Sequence, residues 1–397
     1  MEDENQMMKN QTLRRIASSM AFGVVIATGW AAEALDRPSA VPDLGPGVVH
    51  RHVVDKAIPL SIHVLEVERG RPDLLIMGSV GQALKGKESV PKMAAALVGR
   101  GKPIAAINGG FFEISKQPLF YGVTSGLSIL DGELVRGPKT TSLCFDAAGN
   151  PSIRKVSAKF RVVWPDGVET PFGLNSPTSD YVSSVRSSDL VLFTPRFGST
   201  TSPTNAVREL VLGPAGKGPW LPLRAGQEYE ARVLEIRTTG QAPIAPGTMV
   251  LSIARKADAT TPVVRVGDTI RLDTAFAQDM ADVVTAVSGE PQLLTPGQEP
   301  PQPPAKPGAR APRTFVGYNA TRLFFAVVDG RQEGLSAGMS FEEGAVFMHG
   351  LGCEEAIALD GGGSSTFWLD GRVMNSPSDG QPRAVADCLI LVRRPKD

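Results

Sequence analysis

From residue 48 the chain alternates apolar and polar positions with a period of two: VVHRHVV at 48–54, LSIHVLEVE at 60–68 and DLLIMGSV at 73–80. That period places successive side chains on opposite faces, so each segment is a predicted strand. SVPKMAAALVGR at 89–100 changes the pattern, with Ser89 at a cap position, a proline in the first turn and alanines after it, and predicts a helix. PIAAIN then reads as a buried strand that stops at Asn108. Between about 140 and 285 the segments SLCFDAAG, FRVVWPDGVET, DLVLFTP, RELVLGP, EYEARVLEIR and TMVLSIA are further strands separated by turn residues. RLFFAVVD is a strand, and Ser340 with Glu343 forms a capping box that opens a short helix ending at Gly350–Gly352. IALD, the hairpin FWLDGRVM and the closing strand AVADCLILVRR complete the series. The expected fold class is α+β: strand-rich mixed sheets with a few helices.

Composition agrees with this picture. The 397 residues include 42 glycines and 32 prolines, punctuation that suits short strands and tight turns. Forty-one basic residues balance 41 acidic ones. A net charge of zero argues against nucleic acid as a partner, so any anion must be met by local groups. The segment TPGQEPPQPPAKPGARAP, 295–312, reads as an exposed loop or flap inside the domain.

The first residues carry Lys9, Arg14 and Arg15, then an apolar run over 16–31, then Ala32-Glu33-Ala34. That order is expected for a cleaved signal peptide over 1–34. The alternative, a membrane anchor, needs roughly 20 apolar residues, more than the run supplies. Arg14-Arg15 is only a weak twin-arginine signal, lacking the residues expected after the pair. A flexible lead-in over 35–48 and one domain over 49–397 would come next. The expected location is outside the cytoplasm (periplasm, cell envelope or medium), with no integral membrane domain after signal removal. Cys144, Cys353 and Cys388 are odd in number and lack C-x-x-C spacing, so buried free thiols are expected. The four histidines form no HExxH; His50 and His52 are explained as alternate positions of one strand.

Asp-Gly occurs five times and usually marks a hairpin turn. Asp131-Gly132, Asp166-Gly167 and Asp370-Gly371 each lie between two short strands and are predicted hairpins. Asp329-Gly330 and Asp360-Gly361 differ, because neither runs directly into a returning strand. IAAINGGFF, with Asn108, Gly109 and Gly110, and TAVSGEPQ, with Ser288, Gly289 and Glu290, share that design. Strand ends that open into glycine-rich loops are where a rigid scaffold places functional groups. If the four ends converge, they line one pocket with an amide, two or three carboxylates and exposed N–H groups.

Two familiar motifs fail. IALDGGGSST carries glycines and hydroxyls suited to phosphate, but no lysine precedes Ser364, so it is not a nucleotide P-loop. Gly334-Leu-Ser336-Ala-Gly338 fits G-x-S-x-G, yet DGRQE intervenes between strand and serine, and His349 is the only histidine beyond it.

In combination the segments are similar to the phosphodiester glycosidase family, whose animal members uncover mannose 6-phosphate by removing a capping N-acetylglucosamine. The resemblance rests on AINGGFF at 106–112, GLSILDGELV at 126–135, RTFVGYN at 313–319, FAVVDGRQEGLSAGMS at 325–340, LGCEEAIALDGGGSSTFWLDGRVMNSPSD at 351–379, and Arg383. The β-rich middle looks like that of bacterial members, whereas SGEPQLLTPG at 288–297 departs from a stretch more usually glycine-rich. The resemblance implies hydrolysis between a sugar anomeric carbon and a phosphate. Asp360 would stabilise or attack the oxocarbenium-like centre, with Asp329 as its partner and Glu290 as a further carboxylate. Arg313, Arg331 and the Gly361, Gly362, Gly363, Ser364 and Ser365 backbone would hold the phosphate, with Arg383 as a further binding group. Asn108, beside Gly109 and Gly110, would bind a sugar hydroxyl.

Two other readings use the same residues: a non-catalytic envelope protein that binds phosphate-bearing glycans, and an ordinary glycosidase with no phosphate requirement. No cofactor is evident. A divalent cation lacks a motif of its own, although Asp329 and Asp360 could hold one on converging.

Overall fold

Strands 48–55 and 60–68 begin a six-stranded antiparallel sheet that continues, in spatial order, through 322–328, 313–318, 355–358 and 292–294. A five-stranded antiparallel sheet, ordered 372–373, 367–369, 102–108, 387–393 and 74–80, lies against it. This computed structural model describes residues 43–395 except 56–57, 82–83, 85, 98, 115–119, 138–139, 180–186, 202–207, 300 and 305. The expected signal peptide and most of the lead-in lie outside the described residues.

Period-two patterning explains the layers. Leu65, Val67, Val316, Phe325, Val327, Ile357 and Leu359 of the larger sheet meet Ala105, Ile107, Phe367, Leu369, Leu389 and Leu391 of the smaller one in a shared core. The residues between them point outward, and each outer face is covered by a helix. Phe341–Gly350 packs Ala345, Phe347 and Met348 on one side, and Val90–Ala95 packs Val90, Met93 and Ala94 on the other. Gly344 lets the first helix close down, because a Cβ there would run into the Phe315 ring.

A second five-stranded sheet, centred on Val283–Ser288, alternates between two cores. Leu143, Phe145 and Val287 face the sandwich, while Cys144 and Ala286 face the β-rich middle. That middle is an eight-stranded sheet spanning 161–273, antiparallel except where Gly173–Leu174 pairs with Leu190–Phe193.

Asp131-Gly132 and Asp370-Gly371 turn with both residues at positive φ (52° and 74°, 41° and 93°), as a two-residue hairpin needs. In the Asp166-Gly167 turn only Gly167 is left-handed. The Ser340 capping box forms in full. The helix at Ser89 is shorter than its sequence suggests, ending at Ala95, and Ser89 makes no side-chain cap. The closing strand is interrupted: Ala384–Val385 pairs with Glu88–Ser89, and the main strand begins at Asp387. The three cysteines are free and buried. Among the described residues no helix is long and apolar enough to cross a membrane.

Candidate functional site

At one end of the sandwich the inward-facing columns change from apolar to polar. Val67, Leu65 and His63 lead to Ser61, and Leu323, Phe325 and Val327 lead to Asp329. Val316 leads to Thr314, and Leu391 and Leu389 lead to Asp387. Antiparallel register brings these ends together: Ile62 pairs with Val328, and Cys388 with Asn108.

Two asparagines join the sheets across this end. Asn108 is fully buried; it donates to the Asp360 carbonyl at 2.6 Å and accepts from Thr314 Oγ1 at 2.7 Å and Thr366 N–H at 3.2 Å. Asn375 donates to Asp329 Oδ1 at 3.2 Å and to the Ser365 carbonyl at 3.1 Å, and accepts the Phe367 N–H at 2.8 Å. Asn108 therefore holds the DGGGSST loop in place, and its amide is not offered to a sugar hydroxyl. Each of its groups is already matched, as burial requires.

Three carboxylates lie at this end of the sandwich, and of these Asp360 and Asp387 are near enough to influence each other. Asp329 is 2% exposed and accepts from Ser61 Oγ at 2.8 Å, Ser376 N–H at 2.8 Å and Asn375. Burial raises its pKa, an effect opposed by these donors and by His52. Asp360 is less deeply placed and accepts the Gly361 N–H at 2.9 Å. Burial raises its pKa too, countered by Ser364, Gly361 and Arg383. Ser364 Oγ is near enough to favour the charged form without meeting the geometry of a full hydrogen bond. Asp387, which motif reading missed, accepts the Gly110 N–H at 2.8 Å; burial, with Asp360 nearby, pushes it up to about 7. A lone aspartate heading the apolar column Asp387–Leu389–Leu391 was the available signal. Glu290 reaches only the exposed rim, where its N–H bonds the Ala358 carbonyl at 2.8 Å.

The glycines serve a purpose other than the expected one. Gly361 N–H bonds Asp360 itself, Gly362 N–H bonds the Pro312 carbonyl, and Ser364 and Ser365 N–H groups turn back to Gly361 and Gly362. Gly109 and Gly110 N–H groups are held by Asp387. These groups are matched within the fold, so they make no open cradle for phosphate. What the glycines provide is clearance. A Cβ on Gly361 would lie 2.9 Å from the Pro312 carbonyl, and one on Gly362 (φ 62°) would lie 3.1 Å from an Arg331 guanidinium nitrogen. A Cβ on Gly363 would overlap the Arg383 guanidinium.

Arg331 is exposed and itself left-handed (φ 60°), and Arg383 pairs with Asp379 at 2.7 Å. Both lie over the loop. Arg313 is turned aside: it donates to the carbonyls of Met339 and Ala309, both at 3.0 Å, and stacks 3.9 Å over Phe341. Burial, with Arg331 nearby, lowers its pKa. It anchors the end of the proline-rich segment, whose Pro312 touches the triple glycine. Ser365 Oγ is buried with no hydrogen-bond partner among the described residues.

Ser336 is fully buried, donates to the Asp329 carbonyl at 2.6 Å and so supports the loop. Gln332 and Ser376 bond each other beside it. His50, His52 and His63 form a face-to-face stack, with His52 and His63 centroids 4.1 Å apart. Among the described residues no group of three or more His, Cys, Asp or Glu side chains is arranged to hold a metal ion.

Comparison with known proteins agrees with this architecture. A crystal structure of a hypothetical protein from Synechocystis aligns with 90% of the chain and 65% of its own length, at 18% identity and a TM-score of 0.66. A Burkholderia pseudomallei protein, named as exported, aligns with 84% of the chain and 74% of its own, at 23% identity and a TM-score of 0.63. The uncharacterized SPbeta prophage-derived protein YomE of Bacillus subtilis is 37% identical over 81 residues, 20% of this chain and 12% of YomE. The family model for phosphodiester glycosidases matches residues 231–392, a span that holds Asp329, Asp360, Asn375, Arg383 and Asp387, so that part of the chain is similar to the phosphodiester glycosidase family.

Proposed function

We propose that the protein is an exported hydrolase that cleaves the bond between a sugar anomeric carbon and phosphate, in sugar-1-phosphodiesters or phosphate-bearing envelope glycans. The observation that carries the reading is the placement of Arg331 and Arg383 over the Gly361–Gly363 backbone, directly beside Asp360. A phosphodiester held by two guanidinium forks would present its anomeric carbon to that carboxylate.

In this mechanism Asp360 stabilises or attacks the oxocarbenium-like centre. The leaving phosphate monoester, with a second pKa of about 6, needs little protonation. The proton that must be moved belongs to the attacking water, and we assign its acceptance to Asp329, the partner carboxylate. Export is supported by the charged, apolar and A-x-A order of residues 9–34.

The test is a comparison of turnover on a sugar-1-phosphodiester and on the alkyl glycoside of the same sugar. Much faster cleavage of the phosphodiester is expected. Equal rates would favour an ordinary glycosidase, and binding without turnover a glycan-binding protein.

A further inference from the structure

His52 Nε2 lies 3.0 Å from Ser61 Oγ, and Ser61 Oγ lies 2.8 Å from Asp329 Oδ2. Three residues from three separate segments thus make one unbroken chain of hydrogen bonds. Its inner end is a carboxylate that is 2% exposed, and its outer end is a partly buried imidazole on the edge strand 48–55. We propose that Ser61 and His52 are a proton relay that connects the buried Asp329 carboxyl to solvent. The inference rests on the reading of Asp329 as the group that takes the water proton.

The chemistry balances without any added reagent. An O–H bond of the attacking water breaks and its proton goes to Asp329. Once Asp329 is protonated, His52 exchanges its hydrogen from Nε2 to Nδ1 through bulk water, which frees the Nε2 lone pair. The carboxyl O–H then passes its proton to Ser61 Oγ, while the Ser61 hydroxyl proton moves to His52 Nε2. His52 ends as an imidazolium, loses Nδ1–H to bulk water, and the chain reorganises to its starting state. In the resting state an ionised Asp329 can only accept, so Ser61 donates to it and His52 carries its hydrogen on Nε2.

The surroundings suit the task. The titratable groups facing His52 are His50 beside it on the strand, His63 stacked against it at 4.1 Å, and Asp329. His50 Nε2 and His63 Nδ1 are 3.1 Å apart and share one hydrogen bond. Burial lowers the pKa of His52, with Asp329 pulling the other way, and pushes His50 down to about 4. The stack is therefore neutral near pH 7, and a proton arriving at His52 is released rather than trapped.

The test separates wiring from activity. In ¹⁵N spectra of the full chain, His52 is expected as the Nε2–H tautomer at neutral pH. Asp329→Asn should shift its titration to lower pH, because the carboxylate that favours imidazolium is gone. An Nδ1–H tautomer, or a His52 titration unmoved by both Asp329→Asn and Ser61→Ala, overturns the relay whether or not a substrate is known. In turnover, His52→Gln keeps a donor for Ser61 but cannot carry the proton. It should lower kcat about tenfold or more with KM within twofold, as His52→Ala should. Added imidazole should restore part of the His52→Ala rate, since the position is open to solvent in part. Wild-type kcat and pH profile in His52→Gln would show that His52 only positions Ser61, and would overturn the relay. If the titrations couple but no sugar-1-phosphodiester is cleaved, the wiring stands and the substrate assignment fails.

Discussion

Asp387 holds the turn after Asn108 with both its side chain and its backbone: Oδ1 accepts the Gly110 N–H at 2.8 Å, and its carbonyl accepts the Gly109 N–H at 3.0 Å. The aspartate is 1% exposed, and burial pushes its pKa up to about 7, against an ordinary value of about 3.9. The folded chain therefore binds more protons than the unfolded chain between about pH 4 and pH 7. Stability from this group is fully present below that window and is lost as pH rises through it. Asp387→Asn keeps an acceptor for Gly110 and should flatten the loss, raising the melting temperature at pH 8 relative to wild type and leaving it nearly unchanged at pH 4.5. Asp387→Leu removes the acceptor and should melt earlier at every pH.

Asp360→Asn preserves shape and removes charge beside the two arginines. Turnover on a sugar-1-phosphodiester should fall on the order of 10²-fold or more, with an unchanged circular dichroism spectrum. The matched control is Asp131→Asn. Asp131 pairs with Arg100 through two hydrogen bonds on an exposed hairpin, so its loss should cost less than about 1 kcal/mol and leave turnover intact. Equal activity of the two variants would reduce DGGGSST to a structural turn.

Gly363→Ala places a methyl group where the Arg383 guanidinium lies, and Gly362→Val adds a branched side chain at φ 62°. Both should raise KM for the phosphodiester more than they lower kcat, and neither removes an acid. Arg383→Lys should also raise KM, since a point charge does not replace a planar fork. An unchanged KM in all three would show that phosphate binds elsewhere.

Much of this site was legible in the sequence because glycine after a strand-ending acid is a local signal. Asp329, Asp360 and Asn108 were visible on that basis, and the three hairpin Asp-Gly pairs were separable because each runs straight into a short returning strand. The capping box at Ser340 was equally local. The role of Asn108 was not legible, because the sequence does not say whether an amide faces solvent or a neighbouring loop. The glycine backbone was misjudged for a related reason: partners such as the Pro312 carbonyl come from a segment far along the chain. Ser61 and Asp387 were overlooked because each is a single polar letter at the head of an apolar column. Only the register between strands reveals that those heads share one end of the sandwich.

Asn375 illustrates what such cross-sheet groups contribute. Asn375→Ala would leave Asp329 Oδ1, the Ser365 carbonyl and the Phe367 N–H without this partner. A buried polar group left unmatched costs about 1–3 kcal/mol. A drop of at least that size in chemical-denaturation stability is expected, together with reduced turnover. Asn375→Asp retains the acceptor for Phe367 but sets a second carboxylate against Asp329, so it should be the worse of the two above neutral pH.

The distribution of strands along the chain has a practical consequence for dissection of the protein. The family-matched span, 231–392, contains four of the strands of the six-stranded sheet but neither 48–55 nor 60–68, and it lacks 74–80 and 102–108 from the facing sheet. Without 102–108 the strands 367–369 and 387–393 lose their connection, since they meet only through it. An expression fragment cut to residue 231 would expose raw sheet edges in both layers and is expected to aggregate rather than fold. Supplying residues 43–230 as a separate polypeptide is the complementation experiment with a chance of rebuilding it.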